Sequence, residues 1–185
     1  MRYDVIIVGA GPAGIFAAYE LTTLRPDFRV LLVDRGHDIE RRVCPILENK
    51  IDKCPPPSRM KEYAGCLPAC SITAGWGGSG AYSDGKFNLT TEFGGWMQDY
   101  LAPSYILDLI EYVDRINLEH GATTQVTDPT TRAVAAIERR AIAAGLKLLK
   151  ARVRHLGTEE NLKILPNLYE TLRPRLEVRF RTAVA

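Results

Sequence analysis

A glycine motif between two apolar runs constrains the fold of the first 36 residues more than any other feature of the chain. The β-branched run at residues 3–8 predicts a buried strand that stops at Gly9. Residues 12–24 predict a helix with a proline near its first position, and residues 28–34 predict a second buried strand. A strand, a helix and a strand within about thirty residues form a βαβ unit. The sequence therefore predicts an α/β, Rossmann-like fold.

The motif itself reads Gly9-x-Gly11-x-x-Gly14, and each glycine meets a need of a dinucleotide-binding turn. The first allows the tight turn, the second lets a pyrophosphate approach the backbone, and the third lets the helix pack closely on the strand. The start of the helix offers N–H groups and a partial positive charge to the phosphates. The predicted cofactor-binding residues of this turn are Gly9, Ala10, Gly11, Pro12, Ala13 and Gly14.

Asp34 ends the second predicted strand, twenty residues after Gly14. A carboxylate at this place accepts hydrogen bonds from ribose hydroxyls and repels a 2′-phosphate, which disfavours NADP. The motif alone does not separate FAD from NAD. The alternative, a glycine turn that binds nothing, remains open at this point.

Residues 37–100 carry five prolines, all four cysteines and both tryptophans, and show no long periodic segment. Within them the stretch TAGWGGSGAYSDGKF holds five glycines, a residue that loses much conformational entropy on folding. Such a stretch is either a linker or a place where backbone passes close to something. Because it follows the βαβ unit by some forty residues, we interpret it as backbone laid against the cofactor, with Gly77, Gly78 and Ser79 as contacts. Trp76 and Trp96 are expected in the core.

The remaining residues, 101–185, predict alternating helices and strands. Helices are expected at 103–119 and from Asp128-Pro129 to Gly145, and a further helix from Thr158 is expected to break or kink at Pro166. Residues 146–154 and 176–185 predict strands. Residues 132–185 contain 12 Lys and Arg against 5 Asp and Glu. We interpret this excess as a basic face and expect no nucleic-acid partner, because the arginines alternate within a strand.

No segment reaches the length of a transmembrane helix, and the first apolar run lacks the charged region and cleavage site of a signal peptide. The sequence therefore predicts a cytoplasmic protein with no membrane partner and with reduced cysteine thiols.

Three stretches carry a resemblance to known flavoproteins. YDVIIVGAGPAGIFAAYEL resembles the start of the two-dinucleotide-binding-domain, glutathione-reductase-like superfamily. ITAGWGGSGAYSDGKFNLT and ARVRHLGTEENL are similar to a group of uncharacterised bacterial and archaeal FAD-dependent dehydrogenases. The resemblance covers essentially the whole chain. It implies a flavin-dependent oxidoreductase with FAD as cofactor, an unknown small-molecule substrate, and NAD(P)H as a candidate electron donor in the full-length protein.

The resemblance also implies two further contacts. An acid followed by a base is common at the adenosine end of FAD, which adds Arg35 to Asp34. In flavoproteins of this type the strand–turn near residue 184 often presents backbone to the adenine, which adds Val184. No general base stands out, so no catalytic residue is assigned.

The chain departs from that group in one respect. Its members are more than twice as long, and a later Gly-Asp motif completes their FAD domain. Residues 1–185 contain no apolar strand that ends in Gly-Asp. We therefore expect 1–185 to be the N-terminal part of an FAD domain incomplete at its C-terminus, whose partner is the missing C-terminal half. Its expected parts are the βαβ unit at 1–36, a cofactor-wrapping segment at 37–100, and helices and strands at 101–185. The alternative is a truncated, non-catalytic dinucleotide-binding fragment.

The cysteines are spaced C-x9-C-x11-C-x3-C, at Cys44, Cys54, Cys66 and Cys70. Three interpretations remain open: structural thiols, a metal site with zinc or an iron–sulfur cluster, and redox chemistry beside the flavin. Classical disulfide reductase chemistry is disfavoured, because no C-x4-C pair follows the second strand. No metal ligand is assigned.

Overall fold

A computed structural model describes residues 2–184, except for the side chains of residues 158–160. The chain divides into two compact units. The first unit consists of the chain up to Ser83 together with the chain from Asn161 onwards. The second unit is Asp84–Glu160, which lies between these two segments in the sequence. Among the described residues, no helix is both long and apolar enough to cross a membrane.

The first unit is built on a parallel sheet. Within residues 2–184 its strands are β1 (Val5–Val8), β2 (Val30–Val33) and β5 (Glu177–Arg179), in the order β1-β2-β5. Val5 pairs with Val30, and Leu31 pairs with Glu177. Helix α1 (Pro12–Leu24) connects β1 to β2. The mixed α/β, Rossmann-like fold predicted from the sequence is confirmed.

The burial of each strand agrees with its place in the sheet. All four residues of the central strand β2 are buried, as expected of an apolar run with neighbours on both sides. The edge strand β1 alternates instead, and Ile6 and Val8 are 57% and 65% exposed. The core of the unit contains the buried residues Ile15, Ala18, Leu32, Trp76, Leu168 and Leu172.

Helix α4 (Gly157–Leu172), most of which lies in the first unit, runs through Pro166 without a break. The predicted break at Pro166 is therefore absent, because tertiary packing of Ile164, Leu168 and Leu172 holds the helix on both sides of the proline. The alternative, a kink at Pro166, stays a prediction. The predicted cap, the Thr158 side chain, lies outside the described residues. The predicted strand at 176–185 is confirmed only for the three residues of β5.

The second unit contains helices α2 (Pro103–Glu119) and α3 (Arg132–Ala143), and strands β3 (Lys86–Leu89) and β4 (Arg152–His155). The two strands pair antiparallel, with Lys86 opposite His155. Helix α2 has the predicted bounds, whereas α3 begins at Arg132 because Thr131 Oγ1 accepts a hydrogen bond from Val134 N–H.

A buried ion pair anchors β4 to α2. The Arg154 guanidinium donates to both carboxylate oxygens of Asp114, at 2.6 and 2.7 Å, and both side chains are buried. This hydrogen bonding raises the pKa of Arg154. One arginine of the basic C-terminal third is therefore a core residue of this unit rather than part of a basic face.

Residues 37–100 are mostly irregular, as predicted. They contain β3 and short 3-10 helices at Ile39–Arg41, Pro57–Glu62, Gly78–Tyr82 and Met97–Asp99. Trp76 is fully buried, which confirms its predicted place in the core. The same prediction for Trp96 is wrong, since this side chain is 83% exposed and follows Gly94 and Gly95, which have open space around them.

Candidate functional site

The turn after β1 has the geometry of a dinucleotide-binding motif. Gly9 adopts φ = +103°, a backbone conformation that favours glycine, and its N–H donates to Val33 O at 2.7 Å. Gly14 follows on the first turn of α1, where a Cβ would overlap the carbonyl oxygen of Gly9. The first and third glycines of the motif therefore serve the tight turn and the close helix–strand approach that the sequence predicts.

The N-terminus of α1 is suited to an anion. Gly11 occupies the N-cap position, Pro12 begins the helix, and no side chain caps it. The first turn also carries no acidic residue. The N–H groups of a first helical turn have no acceptor within the helix, and the helix dipole adds a partial positive charge. A phosphate group therefore meets a favourable environment here.

The buried Asp34 side chain stabilises this turn through hydrogen bonds. Its Oδ2 accepts a hydrogen bond from Ala10 N–H at 2.7 Å. Its Oδ1 accepts from Gly36 N–H at 2.7 Å and from Gly75 N–H at 2.8 Å. The side chain is buried, so one carboxylate joins three separate stretches of backbone.

The sequence predicts that Asp34 accepts hydrogen bonds from a ribose. The two oxygens of a carboxylate offer about four acceptor positions, and three are occupied by backbone N–H groups. The ribose contact stays a prediction. The structure adds a second role for Asp34 that sequence reasoning missed, which is to hold three backbone segments together. The neighbouring Arg35, assigned to the adenosine end, is exposed.

Replacing Asp34 with asparagine is expected to lower the free energy of unfolding by about 1.5–3 kcal/mol, because an NH2 group, which cannot accept a hydrogen bond from a buried N–H, replaces one carboxylate oxygen. Thermal and urea unfolding would measure the change. Asp27→Asn is the matched control, since Asp27 forms an exposed pair with Arg25 and is expected to change stability by less than about 0.5 kcal/mol. Equal effects of the two substitutions would contradict a role for the buried carboxylate.

The glycine-rich stretch lies directly on the turn. Gly77 N–H donates to Ala10 O at 2.7 Å. A Cβ at Gly78 would lie 3.0 Å from Gly11 Cα, so only a residue without a side chain fits without displacing the turn. Gly77 and Gly78 are buried, whereas Ser79 is exposed. Two motifs that are more than sixty residues apart in the sequence thus form one surface.

Arg42 holds the glycine-rich stretch in place and was missed by sequence reasoning. Its buried guanidinium donates to the carbonyl oxygens of Ser71 (2.8 Å), Ile72, Trp76 and Gly78 (2.7 Å). Burial lowers the pKa of Arg42. No local pattern could have revealed it, because its partners are backbone atoms about thirty residues further along the chain.

The last predicted contact, Val184, is 62% exposed and lies beyond the end of β5. The structure thus brings together the turn at residues 9–14, Asp34 and the Gly77–Gly78 backbone. Which of these residues touch a cofactor stays a prediction.

Comparison with known proteins agrees with this geometry. The model of a family described as an NAD(P)-binding Rossmann-like domain matches residues 7–40. An uncharacterised protein of Clostridium beijerinckii is 34% identical over 103 residues, which are 56% of this chain and 16% of that protein. A thiamine thiazole synthase of Coprinopsis cinerea is 54% identical over 33 residues, which are 18% of this chain and 10% of that protein.

Among solved structures, an L-amino acid deaminase from Proteus myxofaciens in complex with anthranilate is similar at 14% identity and a TM-score of 0.31, over 99% of this chain and 39% of that one. The chain spans less than a fifth of the length of the two curated relatives. With the observed fold, the family match at residues 7–40 shows a Rossmann-like domain of the dinucleotide-binding type.

Proposed function

We propose that this chain binds FAD as part of a flavin-dependent oxidoreductase. The observation that carries the proposal is the docking of Gly77 and Gly78 on the turn at Ala10 and Gly11. A dinucleotide-binding turn can hold a pyrophosphate with its own glycines and helix. The Gly77–Gly78 backbone extends this surface beyond the turn, which suits a cofactor such as FAD that continues past its pyrophosphate. When bound, FAD supplies an isoalloxazine ring that accepts and returns electrons.

The proposed contacts follow the chemistry of each group. The N–H groups of Gly11, Ala13 and Gly14 bind the pyrophosphate at the start of α1. Asp34 and Arg35 serve the adenosine end, where the remaining acceptor capacity of Asp34 suits a ribose hydroxyl.

The other residues of the turn and loop complete the proposed site. Gly9, Ala10 and Pro12 shape the turn and present the helix. Gly77, Gly78 and Ser79 lie along the cofactor towards its flavin end, and Val184 lies at the adenine.

The whole enzyme extends beyond the FAD-binding residues in this proposal. Ile6 and Val8 expose apolar side chains on one face of β1, which supports the view that further polypeptide covers this face. The proposed partner is the C-terminal half of the same enzyme, and NAD(P)H is the proposed electron donor to a small-molecule substrate. A second candidate is a non-catalytic dinucleotide-binding fragment, which the same exposed face also favours.

Replacing Gly11 with glutamate tests the proposal with little effect on folding. Gly11 has φ = −75°, and a Cβ there meets Gly78 Cα only at 4.0 Å. The negative charge of a glutamate is favourable beside the positive end of the helix dipole but repels a pyrophosphate. We expect FAD affinity, measured by calorimetry and flavin fluorescence, to fall by about tenfold or more, equal to about 1.4 kcal/mol.

Ala17→Glu is the matched control, because it adds the same charge at an exposed position of α1. FAD affinity is expected to survive in this variant. Tighter binding of NAD than of FAD by the unaltered chain would overturn the choice of cofactor. An unaltered chain that binds no dinucleotide would overturn the proposed function itself.

A further inference from the structure

The four cysteines of the chain converge on one cavity in the first unit. The cavity has a volume of about 200 Å³, and Cys44, Cys54, Cys66 and Cys70 all line it. The other lining residues are mostly apolar and include Pro45, Ile46, Leu47, Pro55 and Ile72. All four thiols are free of disulfide bonds. Four cysteines from a segment of 27 residues therefore line a single cavity, Cys44 and Cys66 half-buried and Cys54 and Cys70 exposed.

The surroundings disfavour four thiolates without a positively charged partner, because the other residues that line the cavity are mostly apolar. Thiolates gathered in one apolar cavity are stabilised when metal ions neutralise them.

Ser71 supplies a second, independent observation. Its side chain is 1% exposed and lines the same cavity, and its Oγ has no hydrogen-bond partner within the described part of the chain. A buried hydroxyl without a partner costs about 1–3 kcal/mol. A sulfur-containing group in the cavity would accept its hydrogen bond and remove this cost.

Zinc and an iron–sulfur cluster need different arrangements of their cysteine ligands. Among residues 2–184, no group of three or more His, Cys, Asp or Glu side chains stands in the arrangement of a metal-ion site. A lone zinc ion draws its thiolates to about 2.3 Å from one centre. The cysteines of a four-iron cluster each bind a different iron atom and therefore stand further apart around a larger volume.

We propose that Cys44, Cys54, Cys66 and Cys70 ligate a [4Fe–4S] cluster, with Ser71 Oγ–H donating to one of its sulfur atoms. Each thiol loses one proton when it binds its iron. Ser71 and Ile72 also accept hydrogen bonds from Arg42, which donates to Gly78 as well. The wall of the cavity thus belongs to the same hydrogen-bond network as the glycine-rich loop. The site rests on residues outside those proposed to bind FAD.

The test uses the full 185-residue chain, purified without oxygen and incubated with ferric iron, sulfide and a thiol, which reduces part of the iron to the ferrous state. We expect about four iron and about four sulfide per chain, protection of all four thiols from alkylation, and a paramagnetic signal after reduction with dithionite. Each of the variants Cys44→Ser, Cys54→Ser, Cys66→Ser and Cys70→Ser is expected to hold less than half of this iron. Ser58→Ala, an exposed position in the same segment, is the control and is expected to hold the full amount.

Ser71→Ala distinguishes the hydrogen bond from the ligands. This variant is expected to keep its iron but to show a lower reduction potential, because a hydrogen bond to a cluster sulfur stabilises the reduced form. An unchanged potential would remove Ser71 from the proposal.

Three outcomes for the unaltered chain would overturn the cluster. They are the absence of iron and sulfide, one zinc per chain in place of iron, or two disulfide bonds formed in the protein purified without oxygen. Circular dichroism of each cysteine variant shows whether it folds, and the unaltered chain decides the question if a variant does not. FAD titration of the same samples reports on the proposed function separately, so either proposal can fail while the other stands.

Discussion

Gly14→Ala is expected to destabilise the first unit by about 3 kcal/mol or more, the upper end of what overpacking costs. The Cβ of alanine would overlap Gly9 O, a backbone atom fixed by the bond from Gly9 N–H to Val33 O. Neither the new Cβ nor Gly9 O belongs to a flexible side chain that could rotate away. To make room, α1 must move away from β1, and the apolar contacts of Ile15 and Ala18 with the sheet are then weakened.

Thermal unfolding measures this effect directly. A chain of this size changes its Tm by about 2–4 °C for each kcal/mol, so a fall of about 6–12 °C is expected. FAD affinity is expected to fall as well, because the displaced helix carries its N-terminus away from the turn.

Gly80→Ala is the matched control for this prediction. A Cβ at Gly80 would lie 3.6 Å from Pro12 Cγ, an ordinary contact, and its φ is not in the left-handed region. We expect little change in Tm for this variant. A Gly14→Ala protein as stable as Gly80→Ala would show that the helix and strand approach each other less closely than the structure indicates.

The βαβ unit could be predicted from the sequence because its signals are local. Apolar runs mark β1 and β2, Pro12 marks the start of α1, and three glycines mark the turn between them. Helix α2 was predicted with its observed bounds for the same reason, since its apolar residues repeat at helical spacing. These elements follow from residues within one or two turns of each other.

Other elements depend on partners that the sequence does not identify. Strand β3 was missed, and β4 is shorter than the predicted strand, because each is defined by pairing with the other across more than sixty residues. The three bonds that Asp34 accepts likewise come from two distant segments as well as its own turn. The sequence indicated Asp34 as a site residue but not the backbone that it fastens.

The sequence also could not show that the four cysteines lie around one cavity. Their spacing lacks the short paired motifs of common metal sites, so the sequence left three interpretations open. Their convergence follows from the path of residues 44–72, which no periodicity encodes. The contacts assigned to Gly77, Gly78, Ser79 and Val184 also remain predictions about a cofactor, although the place of Gly77 and Gly78 on the turn is now clear.

Arg42→Met is expected to lower the free energy of unfolding by about 3–5 kcal/mol. Methionine fills much of the same volume but donates no hydrogen bond, so four carbonyl oxygens lose their partner, three of them in buried bonds. Each buried acceptor left without a donor costs about 1–3 kcal/mol. Removing a buried charge offsets part of this loss, which keeps the expected total below the sum of the separate costs.

The loss should be seen first in the glycine-rich loop. The chain has two tryptophans, and in a Trp96→Phe background the fully buried Trp76 becomes the single fluorescent reporter of the loop. We expect Arg42→Met to shift Trp76 emission to longer wavelength and to speed amide hydrogen exchange at Gly77. A Gly77 amide released from Ala10 O would also weaken FAD binding, since the loop would no longer lie on the turn.

Two further substitutions separate the geometry of Arg42 from its charge. Arg42→Lys keeps the positive charge, but a single ammonium group cannot reach four carbonyl oxygens, so only partial recovery of stability is expected. Arg41→Met is the matched control, because the Arg41 side chain is 76% exposed and lies 3.6 Å from Asp38 in a surface pair. If Arg42→Met unfolded at the same urea concentration as Arg41→Met, the guanidinium would not be what holds Trp76 and Gly78 against the dinucleotide-binding turn.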